Sequence, residues 1–270
     1  MPELPEVECV RLSLSQSLAG KVLLACHIHH PKVFLAACPL KKGVFPLSVE
    51  CLERHGKYLI VRLERGYLLV VHFRMTGCFY YREKNEACAA HTHIEFPLDT
   101  GNILCFRDPR RFGRIWLIGE KEASPLEGLG PDALDIPEKV FISSLLQRNR
   151  RIKPLLLDQT VIAGMGNIYA DESLFRARIH PETQSSLLKK KKLSALWKHS
   201  QEVLHEAIDR GGSSISDFVS PGGVIGTYQE EHGVYGREGL PCSCCGAIIQ
   251  RIVVGQRGTH FCPRCQKPVH

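Results

Sequence analysis

The sequence predicts an α+β protein: an N-terminal β-sandwich flanked by one helix, a helical C-terminal region, and a four-cysteine zinc finger at the end. Three observations lead there. Between Lys21 and about Ile118 the apolar residues come in short runs bounded by turn residues, the texture of strands. From 138 to 210 they recur at helical spacing. The last thirty residues hold two Cys-x2-Cys knuckles, Cys242 with Cys245 and Cys262 with Cys265. At 270 residues the chain can hold one large domain or two ordinary ones with real cores, and its pattern divides at 1–130, 131–236 and 237–270.

Residues 1–19 open with two prolines and then place Val7, Val10, Leu14 and Leu18 at helical spacing, with Gly20 as C-cap. Tyr58–Leu63 and Tyr67–Phe73 flank Glu64-Arg65-Gly66 and read as a hairpin. Further apolar stretches near 21–28, 91–96, 103–106 and 113–118 complete a sandwich. Residues 119–137, rich in Gly and Pro, form a linker. Helices are expected at 138–147, after Pro154, at 167–178 and from about 186 to 210, the last carrying Leu193, Leu196, Trp197, Val203, Leu204 and Ile208 in phase. The charge run Lys189–Lys192 reads as a solvated helix face in preference to a phosphate contact. Gly211–Tyr228 is too long for an idle connector and reads as a lid.

Composition excludes several classes. A hydrophobic content of 44% is ordinary for a globular protein, and a formal charge of +7 is too modest to indicate nucleic acid without regard to where it lies. Eight of the twelve cysteines lie outside the knuckles, at 9, 26, 38, 51, 78, 88, 105 and 244. They lack framework spacing and read as small buried side chains in a reducing compartment. The N-terminus has no basic region followed by an apolar one, and no apolar run approaches membrane-spanning length. The expectation is a cytoplasmic protein away from membranes.

The finger carries the clearest chemistry. Four thiolates from Cys242, Cys245, Cys262 and Cys265 suit one tetrahedral Zn²⁺, and leave no open position for water, so the metal is structural. Cys244 is an extra thiol; the x2 spacing favours Cys242 with Cys245 as ligands. Arg251, Arg257, Arg264 and Lys267 lie in or beside the finger, and no acidic residue follows Glu238. Such a cationic prong suits a polyanion, nucleic acid above all, with a purely structural staple as the other reading. At the other end, removal of Met1 would make Pro2 a secondary amine, titrating near pH ~8 and partly nucleophilic. Glu3 and Glu6 follow at once. An amine beside a general acid/base suits imine chemistry, although Pro and Glu are also ordinary helix-start residues.

Read together, Met-Pro-Glu-Leu-Pro-Glu-Val-Glu, His55-Gly-Lys57-Tyr-Leu, His72-Phe-Arg-Met75-Thr-Gly77, Asp108-Pro-Arg110-Arg111-Phe112-Gly113, Gly164-Met-Gly166-Asn167-Ile-Tyr-Ala-Asp-Glu and Gln256-Arg257-Gly-Thr-His-Phe-Cys262 make a chain that resembles the formamidopyrimidine-DNA glycosylases over nearly its whole length. The resemblance implies a bifunctional glycosylase and AP lyase of base-excision repair, acting on oxidised purines in double-stranded DNA. Pro2 would be the nucleophile, Glu3 the acid/base, and Glu6 would order the site. Lys57 would contact the phosphate beside the lesion and assist elimination. Met75, Arg110 and Phe112 would fill the gap left by the extruded nucleotide, a step such an enzyme needs because a base inside a duplex is out of reach. Asn167, at the start of a helix in a helix–two-turn–helix and read as its N-cap, would hold a flanking phosphate, with Arg257 gripping the same region from the finger. Lys153 looks like a further lesion-site contact, an ordinary basic loop being the alternative. DNA would lie in the cleft between the two domains. Ser216 stands in the lid where some relatives carry a basic residue. The competing readings are an endonuclease VIII-type glycosylase for oxidised pyrimidines, disfavoured by Leu4 and the Met75, Arg110, Phe112 set, and a non-catalytic zinc-finger DNA-binding protein. A monomer, located with a bacterial chromosome, is expected.

Overall fold

A computed structural model describes residues 2–36, 43–119, 122–214 and 225–268. Met1, Ser216 and most of the expected lid lie outside the described residues. The described residues gather into two units, one drawn from Met1–Glu127 and Gly211–Gly226, the other from Gly128–Arg210 and Thr227–His270.

The first unit begins with α1 (Leu4–Leu18), which buries Leu4, Val7, Val10, Leu14 and Leu18 along one stripe and ends with Gly20 in the left-handed region at φ +76°. Strands follow: β1 (Val22–Leu23), β2 (His27–Ile28), β3 (Phe34–Ala36), β4 (Leu47–His55), β5 (Tyr58–Leu63), β6 (Leu68–His72), β7 (Cys78–Glu83), β8 (Thr92–Pro97), β9 (Asn102–Arg107) and β10 (Arg114–Ile118). They form a sheet ordered β1-β4-β5-β6-β10-β3 and a second ordered β2-β8-β9-β7. All pairs are antiparallel except β10 with β3. Alternation sets the core. Leu59, Val61, Leu69, Val71, Ile115 and Leu117 of one sheet and Ile94, Phe96, Leu104 and Phe106 of the other share a single apolar cluster, which the stripe of α1 joins. The expected sandwich with its flanking helix is present, and so is the hairpin across Glu64–Gly66.

The second unit holds α2 (Glu138–Leu146), α3 (Ile152–Leu157), α4 (Asn167–Arg176) and α5 (Lys190–Asp209), then the hairpin β11 (Gln250–Val254) and β12 (Arg257–Phe261). α3 starts ahead of Pro154, not after it. Pro154 sits in the first turn, where the missing N–H has no helical partner in any case. The turns between α3 and α4 are held by Gln159, whose Nε2 donates to Leu157 O and Met165 O, both at 2.9 Å, and whose Oε1 accepts the Gly164 N–H at 2.9 Å. This is the helix–two-turn–helix. α5 starts inside the lysine run, and Lys192 Nζ reaches back to Ala177 O at 3.3 Å and Arg178 O at 3.4 Å, capping the end of α4. Among the described residues no helix is long and apolar enough to cross a membrane.

The cysteines outside the knuckles are less uniformly interior than expected. Cys105 is buried, Cys9, Cys26 and Cys78 are partly so, but Cys51, Cys88 and Cys244 are exposed. A small thiol gains little from burial, and these three lie at an outward strand position, in a loop and in a turn, while Cys38 lies outside the described residues.

Candidate functional site

In the first unit the N-terminus is built as a capping box. Glu3 is the N-cap of α1 with extended backbone, and Glu6 at the third helical position accepts the Glu3 N–H through Oε2 at 2.8 Å. The other oxygen of Glu6 accepts the Ser213 N–H at 2.8 Å, tying the helix start to a segment more than two hundred residues away. Gly212 makes that approach possible: its φ is +84°, and a Cβ there would lie 2.8 Å from Glu6 Oε1. Pro2, Glu3 and Glu6 are all buried, so two shielded carboxylates follow the second residue at the head of α1.

Lys57, only 8% exposed, occupies the turn between β4 and β5. Its neighbourhood is fixed from α1. Glu8 accepts from Arg54 Nε at 2.9 Å and Arg11 Nη2 at 2.6 Å, and Arg54 Nη1 donates to Gly56 O at 3.0 Å. Burial pushes the Glu8 carboxyl up, but the bonds and charges of Arg11 and Arg54 outweigh it and hold it below the usual carboxylate range.

His72 has no role assigned from sequence, yet it belongs here. It pairs across the sheet with Tyr58, whose ring meets its own edge-on at 4.6 Å. Burial first, then the charges of Arg74 and Lys57, push it down to about 3. The imidazole is therefore neutral at physiological pH. Nδ1 accepts the Arg74 N–H at 3.0 Å, which leaves the proton on Nε2 as a fixed donor. The one sequence signal was a histidine closing an apolar strand, just before Phe73-Arg74.

Met75, Arg110 and Phe112 stand on two neighbouring loops. Met75 is 40% and Phe112 47% exposed, so neither takes the core position that is usual for its type. The Arg110 guanidinium lies over the Phe112 ring, 4.8 Å from its centroid. Asp108, fully buried, holds both loops: it accepts from the Thr76 hydroxyl, from the Arg110 N–H at 3.3 Å and from the Gly113 N–H at 2.7 Å. Arg74 and Arg111, immediately before Met75 and Phe112, take left-handed backbone at φ 56° and 58°.

In the second unit two expectations need correction. Asn167 is the first residue of α4, not its cap; the N-cap is Gly166. The Asn167 side chain is turned instead to the finger hairpin, where Nδ2 donates to Gly258 O at 2.9 Å. Lys153, expected at DNA, has a side chain with no exposed surface. Its Nζ pairs with Asp171 at 2.6 Å and donates to Thr259 Oγ1 at 2.7 Å and Gly258 O at 3.1 Å. A side chain so enclosed supports the hairpin from beneath. Arg257 is exposed at the hairpin tip, next to a two-residue turn whose Gly255 and Gln256 both have positive φ, the geometry a tight hairpin prefers.

The four Sγ atoms of Cys242, Cys245, Cys262 and Cys265 lie within 4.8 Å of one another, with Cys245 to Cys262 at 3.4 Å and Cys242 to Cys265 at 4.0 Å. Tetrahedral Zn–S bonds of about 2.3 Å place sulfurs about 3.8 Å apart, so this cluster is positioned to bind one zinc ion. Cys244 is exposed and outside it. The metal would join the two knuckles below the hairpin and hold the cationic tip rigid.

A sandwich with a buried N-terminal carboxylate pair, a helix–two-turn–helix and a four-thiolate finger together make a distinctive combination. Family models match in three stretches: the formamidopyrimidine-DNA glycosylase N-terminal domain at residues 1–115, the formamidopyrimidine-DNA glycosylase H2TH domain at 128–219, and a zinc finger found in FPG and IleRS at 239–268. A formamidopyrimidine-DNA glycosylase of Pelotomaculum thermopropionicum is 42% identical over 274 residues, covering 99% of each chain. The Lactococcus lactis Fpg complexed with abasic site-containing DNA is similar at a TM-score of 0.90 and 37% identity, covering 98% of this chain and 100% of that one. An Lactococcus lactis Fpg mutant complexed with Fapy-dG-containing DNA gives 0.90 at 36% identity with the same coverage. With identity at this level along its full length, the chain belongs to the formamidopyrimidine-DNA glycosylase family.

Proposed function

We propose that this protein is a bifunctional DNA glycosylase and AP lyase that removes oxidised purines, 8-oxoguanine and formamidopyrimidines, from double-stranded DNA. The observation that carries the reading is the buried Glu3 and Glu6 pair at the head of α1, immediately behind Pro2. With Met1 removed, the Pro2 nitrogen attacks C1′ of the damaged nucleoside and the C1′–base bond breaks, its electron pair leaving with the base. Glu3 delivers a proton to the sugar ring oxygen as the ring opens to a Schiff base. It then serves as the acid/base for β- and δ-elimination, which release the two phosphates in turn. Glu6, with both oxygens engaged, holds the pocket's shape.

Lys57 and the neutral His72 supply a cation and a fixed donor suited to one phosphate oxygen. Met75, Arg110 and Phe112 enter the stack in place of the extruded nucleotide: a flexible thioether, a guanidinium able to bond the orphaned base, and a ring that stacks. The backbone at the α4 start, the second N–H of the Asn167 amide and Arg257 bind the flanking phosphates. The Lactococcus lactis complexes with abasic and Fapy-dG DNA support this substrate class. The same reading places catalysis in 1–130, the helix–two-turn–helix in 131–236 and the finger in 237–270, a division supported by the three family-model stretches. The protein acts as a monomer in the cytoplasm, on the chromosome.

Base release measured on duplexes with 8-oxoguanine opposite cytosine, and dihydrouracil opposite guanine, tests the reading. Faster release of the purine is expected. Preferred release of dihydrouracil would move the protein to the endonuclease VIII type, and binding without release of either would leave a non-catalytic DNA-binding protein.

A further inference from the structure

The Lys153–Asp171 pair is the most enclosed ionic contact among the described residues, with both side chains at 0% exposure. A buried pair is rarely a gain in stability over apolar packing, so its retention asks for another use. Its surroundings supply one. Lys153 Nζ donates to Thr259 Oγ1 at 2.7 Å, and that hydroxyl donates to Arg257 O at 3.0 Å. Lys153 also shares the Gly258 carbonyl with Asn167, at 3.1 and 2.9 Å. The other oxygen of Asp171 accepts the His260 N–H at 2.9 Å. Four consecutive residues of the hairpin, Arg257 to His260, are thus tied to α3 and α4 through one ammonium, one carboxylate and one amide. The Arg257 side chain itself is exposed and makes none of these bonds.

We propose that Asp171 is a positioning residue for Arg257: by compensating Lys153 it fixes the Gly258 and Thr259 anchors that aim the Arg257 guanidinium at a DNA phosphate. This rests on the reading of Arg257 as a phosphate contact. Without the carboxylate, Lys153 is an uncompensated buried cation and no longer stays beneath the hairpin. The tip then samples several orientations, and Arg257 loses its aim without losing its charge.

The test is a double-mutant cycle on full-length, zinc-loaded protein, with a duplex carrying a tetrahydrofuran abasic analogue as probe. Affinity is measured from about 50 to about 200 mM salt for the wild type, Asp171→Asn, Arg257→Ala and the double variant. Asp171→Asn should weaken binding about tenfold and flatten the salt slope by about one phosphate, as Arg257→Ala does. The double variant should bind no more weakly than Arg257→Ala alone. Losses that add, or a wild-type slope in Asp171→Asn, overturn the proposal. An unchanged slope in Arg257→Ala removes the phosphate contact first, and the proposal with it. Should Asp171→Asn fail to fold or to retain zinc, Thr259→Val is the second probe, since it removes the same hydroxyl relay with no buried charge exposed. It should show the same non-additive loss with Arg257→Ala; wild-type binding and slope in Thr259→Val overturn the proposal equally.

Discussion

Asp108 is buried to the last atom and accepts from Thr76, Arg110 and Gly113, so one carboxylate holds two loops in register. Asp108→Ala removes the acceptor of the Thr76 hydroxyl and of the buried Gly113 N–H, leaving the Arg110 N–H with Thr76 Oγ1 alone, and an unsatisfied buried group costs about 1–3 kcal/mol. Urea unfolding should show a loss of about 3 kcal/mol, and base release should fall with it; an unchanged midpoint would show that the loops stand without this carboxylate. Residues differ in how far sequence exposes them. The four zinc ligands were legible because a metal imposes a spacing that can be read directly. Lys153 was not: it is enclosed between Asp171 of α4 and a hairpin over a hundred residues away, and spacing along the chain reports neither contact. Asn167 was misread as a cap for the same reason, its amide being drawn to Gly258. His72 passed unassigned because neutrality and tautomer follow from packing, not from type.

Among the elements, α1 and the β5–β6 hairpin were plain, the helix from its apolar stripe and the strands from two short apolar runs either side of a turn. β4 and β7 were not separately anticipated. β4 carries a register shift between Val49 and Cys51 that breaks its alternation, and β7 is partly buried on most positions. β3 is three residues long and joins its sheet through a parallel pairing that sequence periodicity does not report. The contact of α1 with the 212–213 segment gives a test at this scale. Gly212→Ala places a Cβ 2.8 Å from Glu6 Oε1 at a φ of +84°, so both strain and collision oppose it. The expected outcome is a loss of stability of about 1–3 kcal/mol and slower Schiff-base formation, because Glu6 must move. Kinetics and stability equal to wild type would show that Glu6 does not depend on this segment.

For the molecule as a whole, protons and zinc are the two levers. Burial is the leading cause holding His72 at about 3 and His232 at about 4, and it also lowers His93 and His180. In the unfolded chain each titrates near 6.5, so between about pH 6.5 and 4 the unfolded state binds protons that the folded state refuses. Stability is therefore complete above about 6.5 and declines as pH falls. Glu95, held at about 2 by His29 and Arg82 against burial, adds to the decline below the ordinary carboxylate range. Melting temperatures at several pH values should fall steadily over that interval; a flat profile would show these histidines protonated within the fold. Chelation of zinc should abolish DNA binding by releasing the finger, without any change in the chemistry assigned to Pro2. Retained binding in the metal-free protein would contradict a rigid finger. The central claim is the amine at the second residue, and borohydride trapping on an 8-oxoguanine duplex, followed by peptide mapping of the adduct, tests it most directly. The expected result is a covalent adduct on Pro2 that is lost in Glu3→Gln or strongly slowed, and reduced in Pro2→Gly. An adduct mapped to a lysine, or trapping undiminished in Pro2→Gly, would contradict it.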